Sequence, residues 1–346
     1  MVHSPSFDPR GSEALRHSAA ELELAADAAG RRLVADLERI SAETSGFADR
    51  DLTAALVDAA LDRSMLALAR LNCWGRDNQL PSARLWNPAA SWLEAGWLQH
   101  RARFKPRGYA GDYELLARLW NRTCEPQPLG AAFDRFFQRQ AAVEAVRNRI
   151  EQSAAALADH CLAADRPAYR VVSIGSGPAI ELVELARMLP AERRQRLEFV
   201  LLDLDEEALE SARASLANHL RPEQIALHRE NLFRLATLKR LGPLVERADA
   251  IVCLGLFDYL ADEPAAGLLR MIWQALAAGG LALVGNFAPH CPTRAYMEWI
   301  GNWYLIYRTA DQLRQLAASA GLPDEHFEIA AERLGVDLFI HACKPQ

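Results

Sequence analysis

The sequence predicts an α/β domain in the C-terminal half, a doubly wound parallel sheet with an antiparallel last strand, preceded by an all-helical N-terminal domain. Three observations lead to this fold class. After residue 167 short apolar segments alternate with helical patterns, a glycine turn follows the first apolar segment, and about three residues (334–336) separate the last two. Short apolar strands separated by helices indicate a parallel sheet covered on both faces. So short a link fits only an antiparallel hairpin.

Each element of the C-terminal half follows from this alternation. Strands are predicted at residues 170–174, 198–202, 225–228, 250–254 and 281–286, with helices between them at 180–188, 206–219, 232–241 and 265–278. A helix at 310–320 precedes the two hairpin strands, 327–333 and 337–343.

The N-terminal half shows apolar side chains at the helical period. Helices are predicted through residues 22–40, from Asp51 onward, at 112–121 and at 131–163, with a loop at Ser45 and Gly46. A tryptophan-rich stretch between residues 74 and 97 is interrupted by Pro81 and Pro88. The predicted domains are residues 1–150, a helical lid and substrate domain, and residues 151–346, the α/β domain.

The composition is that of a globular protein and excludes several classes of function. The chain has 346 residues, 51% of them hydrophobic and 24% charged, with a net charge of −6. Lys and Arg are scattered, whereas a nucleic-acid surface needs them clustered, so we expect no nucleic-acid partner. No apolar run approaches the roughly 20 residues of a membrane span. The polar residues 1–16 contain no secretory h-region, which predicts a cytoplasmic protein.

The six cysteines are dispersed and form no C-x-x-C pair. A zinc site needs ligands at short spacing, and disulfides belong to oxidising compartments. We therefore expect reduced thiols and no metal.

The glycine turn after the first predicted strand is Gly175-Ser176-Gly177. Glycines let the backbone curl tightly and approach a ligand with no Cβ in the way. The second predicted strand ends at Asp203, where a doubly wound fold holds ribose hydroxyls. An N-cap of the helix that starts near Glu206 is the alternative role for this carboxylate.

Two further positions bear on the cofactor. The third glycine of a dinucleotide-binding turn would fall at Ile180, whose branched side chain would hinder close packing of a pyrophosphate. After the third strand, Asn231 can hydrogen-bond an adenine while Leu232 lies against the ring, although a helix N-cap is an equally open role for Asn231. Leu254 and Gly255 end the fourth strand and begin the loop after it, where the other face of a cofactor is lined. The pattern argues against a nicotinamide dinucleotide.

This order of glycine turn, acid, polar residue with leucine, and loop resembles class I S-adenosylmethionine-dependent methyltransferases over residues 170–343. The resemblance implies S-adenosylmethionine as the cofactor. It also implies these cofactor-binding residues: Ser173, Gly175, Ser176, Gly177, Asp203, Leu204, Asn231, Leu232, Leu254 and Gly255.

The sequence departs from that family at two places. Many of its members carry an acid two residues before the first glycine; here Ser173 stands there, so the amino group of the cofactor lacks a usual carboxylate partner. The Asn/Asp-Pro-Pro-Tyr motif of nucleobase amino methyltransferases is absent after the fourth strand. The second departure argues against methylation of bases.

Two other segments carry a more specific pattern. Residues 105–114 read KPRGYAGDYE, and residues 286–308 contain Asn-Phe-Ala-Pro-His followed by two aromatic clusters. Both resemble the bacterial methyltransferases of extracellular-factor (3-hydroxypalmitic acid methyl ester) biosynthesis, over most of residues 100–345. Aromatic rings attract a sulfonium cation without competing as nucleophiles.

From these segments we expect Tyr109 and Asp112 to be catalytic. The expected substrate-pocket residues are Tyr113, Asn286, Tyr296, Trp299, Tyr304, Tyr307 and Arg308. If their stretch is helical, Tyr304 and Tyr307 share a face. Packing between the domains is the alternative role for the aromatic residues, and a surface ion pair is the alternative for Arg308.

The sequence thus predicts methyl transfer from S-adenosylmethionine to a small-molecule carboxylate or hydroxyl. A hydroxyl would need a proton acceptor, for which Asp112, Tyr109 and His290 are candidates. The outline also resembles azetidine-2-carboxylate synthases, which cyclise S-adenosylmethionine and release methylthioadenosine. A non-catalytic cofactor-binding module is the third alternative.

Overall fold

The computed structural model describes residues 18–164, 166–232, 242 and 244–346. The polar segment 1–16 and, apart from Leu232, the predicted helix 232–241 lie outside the described residues. No helix among the described residues is both long and apolar enough to cross a membrane.

The N-terminal part of the chain is helical, as predicted. Its helices are α1 (Ala19–Glu43), α2 (Arg50–Ala69), α3 (Gln79–Leu93), α4 (Trp97–Phe104), α5 (Tyr113–Trp120), α6 (Pro128–Gln138) and α7 (Ala141–Ala163). The predicted long helix 131–163 is wrong, because Arg139 and Gln140 separate α6 from α7. Since α7 runs through residue 150, one continuous helix crosses the predicted domain boundary.

The two prolines that were expected to interrupt the tryptophan-rich stretch instead lie inside α3. Pro81 is in the first turn, where a missing N–H is tolerated, whereas Pro88 removes an interior hydrogen bond. Packing offsets this cost, because α3 lies closely against α1. A Cβ added at Gly30 of α1 would stand 2.3 Å from the carbonyl oxygen of Leu85 and 2.7 Å from the Pro88 ring. The burial of α3 between its neighbours therefore overrides the local helix-breaking signal.

The C-terminal part alternates strands and helices. The strands are β1 (Tyr169–Ile174), β2 (Leu197–Asp203), β3 (Ile225–Arg229), β4 (Ala248–Cys253), β5 (Leu276–Phe287), β6 (Phe327–Ala331) and β7 (Asp337–Cys343). The helices are α8 (Ile180–Met188), α9 (Ala191–Arg194), α10 (Glu206–Leu216), α11 (Asp262–Ala275) and α12 (Ala310–Ala320). The predicted end of the helix at 278 is wrong, because β5 begins at Leu276, which pairs with Ala248 of β4.

The sheet confirms the predicted fold class. Its order is β3-β2-β1-β4-β5-β7-β6, with β1 to β5 parallel and β7 antiparallel to both β5 and β6. Val172 of β1 pairs with Val200 on one side and Ile251 on the other, so β1 is central. Neighbouring residues of a strand point to opposite faces, and accordingly Val171 and Val172 belong to separate cores on the two faces.

A third core fills the helical part and includes a piece of the C-terminal half. After β5 the chain forms a π-helical turn, Tyr296–Ile300, whose Tyr296 and Trp299 are buried among α2, α3, α4 and α6. The sheet and the helical part are thereby joined at the carboxyl edge of the strands.

Candidate functional site

The glycine turn at the end of β1 is held by the carboxylate that ends β2. Gly175 and Gly177 have φ values of +66° and +50°, which favour glycine. The Oδ2 of Asp203 accepts a hydrogen bond from the Gly177 N–H at 2.7 Å, and Oδ1 accepts one from the Asp205 N–H at 2.9 Å. The alternative role as an N-cap of α10 falls to Asp205, which accepts from Glu207 N–H. Asp203 is therefore free to face a ligand.

A cavity of about 740 Å³ lies at this edge of the sheet, between the strand ends and the helical part. One side, the sheet wall, consists of the ends of β1, β2 and β4, the loops after them and the loop after β3. Of the predicted cofactor-binding residues, all except Asn231 line the cavity: Ser173, Gly175, Ser176, Gly177, Asp203, Leu204, Leu232, Leu254 and Gly255. The order of the parallel strands brings these residues together at the carboxyl edge of the sheet.

The opposite side, the helical wall, consists of residues 105–112 and residues 296–305. Residues 105–112, the bridging loop, cross the cavity from β2 toward β4. At one end the Tyr109 hydroxyl donates to Asp205 Oδ2 at 3.0 Å. At the other end the Tyr259 hydroxyl donates to the Ala110 carbonyl at 3.4 Å and accepts from Trp303 Nε1 at 2.8 Å. The predicted residues Tyr109, Tyr113, Tyr296 and Tyr304 line the cavity.

The electrostatics of Tyr109 make it a hydrogen-bond donor. Burial raises its pKa, and the nearby charges of Asp203 and Asp205 raise it further. The phenol is therefore neutral at pH 7 and does not act as a ready proton acceptor.

Asp112 does not line the cavity, which corrects its expected catalytic role. Its Oδ1 caps α5 by accepting from the backbone N–H groups of Glu114 and Leu115. Both of its oxygens also accept from Arg101 Nε at 2.8 Å, and the side chain is buried. The carboxylate starts a helix and pairs a cation, so its oxygens are already engaged.

Four expected substrate residues also lie outside the cavity lining. Trp299 is fully buried in the helical core. Asn286 accepts from Arg308 Nη1 at 2.6 Å and donates to Asp258, and Arg308 pairs with Asp262 at 2.8 Å. Arg308 itself is buried but Asp262 is exposed, so the ion pair considered as its alternative role is present and joins a buried guanidinium to a surface carboxylate.

The condition for a shared helix face of Tyr304 and Tyr307, a helical stretch, is not met. Residues 302–309 are not helical, and only Tyr304 of the two lines the cavity. Tyr307 instead packs under Arg294, whose guanidinium lies 4.8 Å from the ring centroid.

Several residues of the lining were missed by the sequence analysis: Lys105, Val146, Arg149, Ile150, Glu181, Asp258 and Tyr259. A polar residue inside a helix carries no sign of which face will meet a cavity, so α7 and α8 gave no signal. Lys105 stands in the segment that was singled out, and burial lowers its pKa to about 8. Burial and the charge of Asp337 raise the pKa of Asp258. No group of three or more metal-ligating side chains occurs within the described ranges.

Comparison with known proteins agrees with this geometry. Residues 172–282 match a protein family described as a methyltransferase domain. No curated protein shows significant sequence similarity to the chain. A solved structure from Bordetella parapertussis, described as a possible exported protein, is 21% identical, with a TM-score of 0.60, and covers 97% of this chain and 99% of its own. That likeness extends the shared fold over the helical part.

Weaker likenesses are to methyltransferases of known substrate. Magnesium protoporphyrin IX methyltransferase from Synechocystis, with bound S-adenosylhomocysteine, is 14% identical with a TM-score of 0.43, covering 59% of this chain and 87% of its own. The 1,6-didemethyltoxoflavin-N1-methyltransferase of Burkholderia thailandensis is 19% identical with a TM-score of 0.40, covering 61% and 81%. The family match over residues 172–282 and the order of the sheet agree with a class I methyltransferase-like fold in this part of the chain.

Proposed function

We propose that the chain transfers a methyl group from S-adenosylmethionine to a carboxylate or hydroxyl of a small molecule. The observation that carries the proposal is the single cavity shared by the glycine turn and the helical wall. Small-molecule sites are concave, mostly apolar and about 300–1,000 Å³ in volume. At about 740 Å³ the cavity has room for a cofactor and a small acceptor.

The residues of the sheet wall fit the cofactor. A Cβ at Gly175 or Gly177 would have no neighbour closer than 3.5 Å, so backbone rather than side chain faces the cavity there. Each oxygen of Asp203 has spare lone pairs for ribose hydroxyls. The Oγ of Ser176, also in the lining, is buried without a hydrogen-bond partner among the described residues. Such an orphaned group in a cavity wall is satisfied by a polar ligand.

When bound, S-adenosylmethionine supplies a methyl group on a sulfonium, which is open to in-line attack. The chain contributes position and the exclusion of water, which can account for most of such a rate. Tyr109 and Tyr304 offer ring faces to a cation. The bridging loop covers the cavity between Asp205 and Tyr259.

The positions of the three predicted bases and of Lys105 support a carboxylate acceptor. A carboxylate is already ionised and needs no base, whereas a hydroxyl needs one. Asp112 is engaged with Arg101, Tyr109 holds its proton, and His290 is exposed outside the lining. Lys105 places an ammonium group in the helical wall, where its Nζ donates to the Asn302 carbonyl at 2.6 Å. An anionic acceptor would be attracted to this cation.

The test is incubation of the full chain with S-adenosylmethionine, alone and with a panel of fatty and aromatic carboxylic and hydroxy acids. Mass spectrometry should show S-adenosylhomocysteine and a methyl ester or ether only when an acceptor is present. Methylthioadenosine and azetidine-2-carboxylate formed together from the cofactor alone, and not without the chain, would replace the proposal by intramolecular cyclisation. Binding with no turnover across the panel would favour a non-catalytic module. Asp203→Asn is the control that should need more cofactor to reach the same rate, and Glu198→Ala, an exposed position on the same strand, should keep wild-type activity.

A further inference from the structure

Glu181 is a buried acid in the cavity wall, and it forms no ion pair with any cation among the described residues. It is the second residue of α8, directly after the glycine turn, and only 6% of its surface is exposed. Its Oε1 accepts a hydrogen bond from Ser173 Oγ at 3.0 Å. Burial raises its pKa, which the Ser173 hydrogen bond partly offsets. A buried carboxylate is costly unless a cation or several donors satisfy it.

Arg149 of α7 brings a guanidinium to the same cavity. Its Nη1 donates to the fully buried Asp337 Oδ2 at 2.9 Å, which fixes one side of the group. Its Nη2 lies 3.3 Å from the place where a Cβ at Gly255 would stand. Because Gly255 has no side chain, this side of the guanidinium is open to the cavity that both residues line.

The two charges line the same cavity but are not paired with each other. Arg149 favours the ionised form of Glu181, yet its ion pair is with Asp337. The cavity wall therefore offers a separate acceptor and a separate donor of opposite charge. A ligand group that carries both an ammonium and a carboxylate matches this arrangement.

We infer that Glu181 binds the α-ammonium group of S-adenosylmethionine and that Arg149 binds its α-carboxylate. The inference rests on the proposed function, because it assigns the methionine end of the same cofactor. It also accounts for Ser173 at the position where many related enzymes carry an acid. The carboxylate at this place belongs to Glu181 of α8, and the Ser173 hydroxyl orients it by donating a hydrogen bond.

The test compares two ligands that differ only in the amino-acid end. S-adenosylhomocysteine carries the ammonium and the carboxylate, whereas 5′-methylthioadenosine has neither. Isothermal titration of the full chain should show that Glu181→Gln weakens S-adenosylhomocysteine roughly tenfold or more, as expected for a lost charge-assisted hydrogen bond. The affinity for methylthioadenosine should stay within about twofold of wild type, which also shows that the variant is folded.

Arg149 needs a paired substitution, because its loss alone would leave Asp337 buried without a cation. The double variant Arg149→Gln/Asp337→Asn replaces the ion pair by two amides. It should also weaken S-adenosylhomocysteine selectively. Asp203→Asn is the matched control and should weaken both ligands, since both contain the ribose.

The outcomes separate the inference from the proposed function. If Glu181→Gln weakens both ligands equally, or neither, the carboxylate has only a structural role and the inference is overturned. If the wild-type chain binds neither ligand, the cofactor assignment itself fails, and the inference fails with it.

Discussion

The sheet wall and the helical wall face the same cavity, but different kinds of bond fix them. In the sheet wall the N–H groups of Gly175 and Ser176 both donate to the Leu202 carbonyl, and Gly177 N–H donates to Asp203. In the helical wall the bridging loop is held by side chains. Arg107 pairs with Asp205, Glu114 and Glu207, and Tyr109 donates to Asp205.

This difference bears on how the two walls tolerate change. A wall built from strand ends depends mainly on the backbone hydrogen bonds of the sheet, and Asp203 is the side chain that holds its glycine turn. A wall held by ion pairs and hydroxyls depends on a few individual side chains and on the salt concentration. We therefore expect the sheet wall to set cofactor affinity and the helical wall to set closure and the choice of acceptor.

The largest effect should come from Trp299, which anchors the helical wall in the helical core. Trp299→Ala removes a fully buried ring and should lower the free energy of unfolding by about 3–5 kcal/mol, measured by urea denaturation. Affinity for S-adenosylhomocysteine, measured where the variant is folded, should stay within about twofold. Trp299→Phe is the control and should cost much less, because the indole Nε1 has no hydrogen-bond partner among the described residues. If the folded Trp299→Ala variant binds S-adenosylhomocysteine much more weakly than wild type, the two walls are not independent.

The next effect should come from the sheet wall. Asp203→Ala removes the carboxylate that faces the cavity and holds Gly177 and Asp205. Affinity for S-adenosylhomocysteine should fall roughly tenfold or more by calorimetry, as for the loss of hydrogen bonds to a charged acceptor. Glu198→Ala on the same strand should leave it unchanged. Equal affinities of the two variants would remove Asp203 from the site.

A smaller effect is expected from the ion pairs of Arg107, which hold the bridging loop over the cavity. Arg107→Gln breaks the contacts to Asp205, Glu114 and Glu207 and should speed dissociation of S-adenosylhomocysteine roughly threefold to tenfold in stopped-flow displacement. Added salt should speed dissociation from wild type but have less effect on the variant, because salt screens these pairs. Arg213→Gln, which removes an exposed pair with Glu210, is the control. Identical dissociation rates and salt dependence for Arg107→Gln and wild type would show that these ion pairs do not hold the loop over the cavity.

The smallest effect is a pH dependence that originates at Lys105. Burial lowers its pKa from 10.5 to about 8 in the folded chain. Between these values the unfolded chain binds more protons, so the free energy of unfolding contributed by this group rises with pH from about 8 to 10.5. Lys105→Met should lose that rise relative to wild type in urea titrations across this range. Parallel pH profiles for the two proteins would place Lys105 in solvent rather than in the helical wall.

The sheet was predictable because buried parallel strands appear in the sequence as short apolar runs with polar residues at their ends. The same logic placed Asp203, Leu254 and the glycine turn at one edge, since carboxyl ends of parallel strands meet there. Helix interiors carry no such sign. Glu181 and Arg149 stand in helical patterns that would look the same if either side chain faced solvent.

In the aromatic segment, too, the sequence did not predict which side chains face the cavity. Its composition predicted a pocket, yet Trp299 packs into the helical core while Tyr304, five residues later, lines the cavity. The chain changes here from a π-helical turn to an extended segment, and this change decides which rings face the helical core and which face the cavity. The spacing of the aromatic residues in the sequence does not reveal the change.

The sequence by itself determined the order of strands and helices, the glycine turn and the acid that follows the second strand. These depend on local patterns of burial and on backbone conformations that few residues adopt. Only the tertiary structure decided that α7, α8, the bridging loop and residues 296–305 meet around one cavity, with Arg149 beside Asp337 and Glu181 beside Ser173. Such contacts join residues up to 188 positions apart, and packing and burial of charge select them only once the sheet and the helical core are assembled.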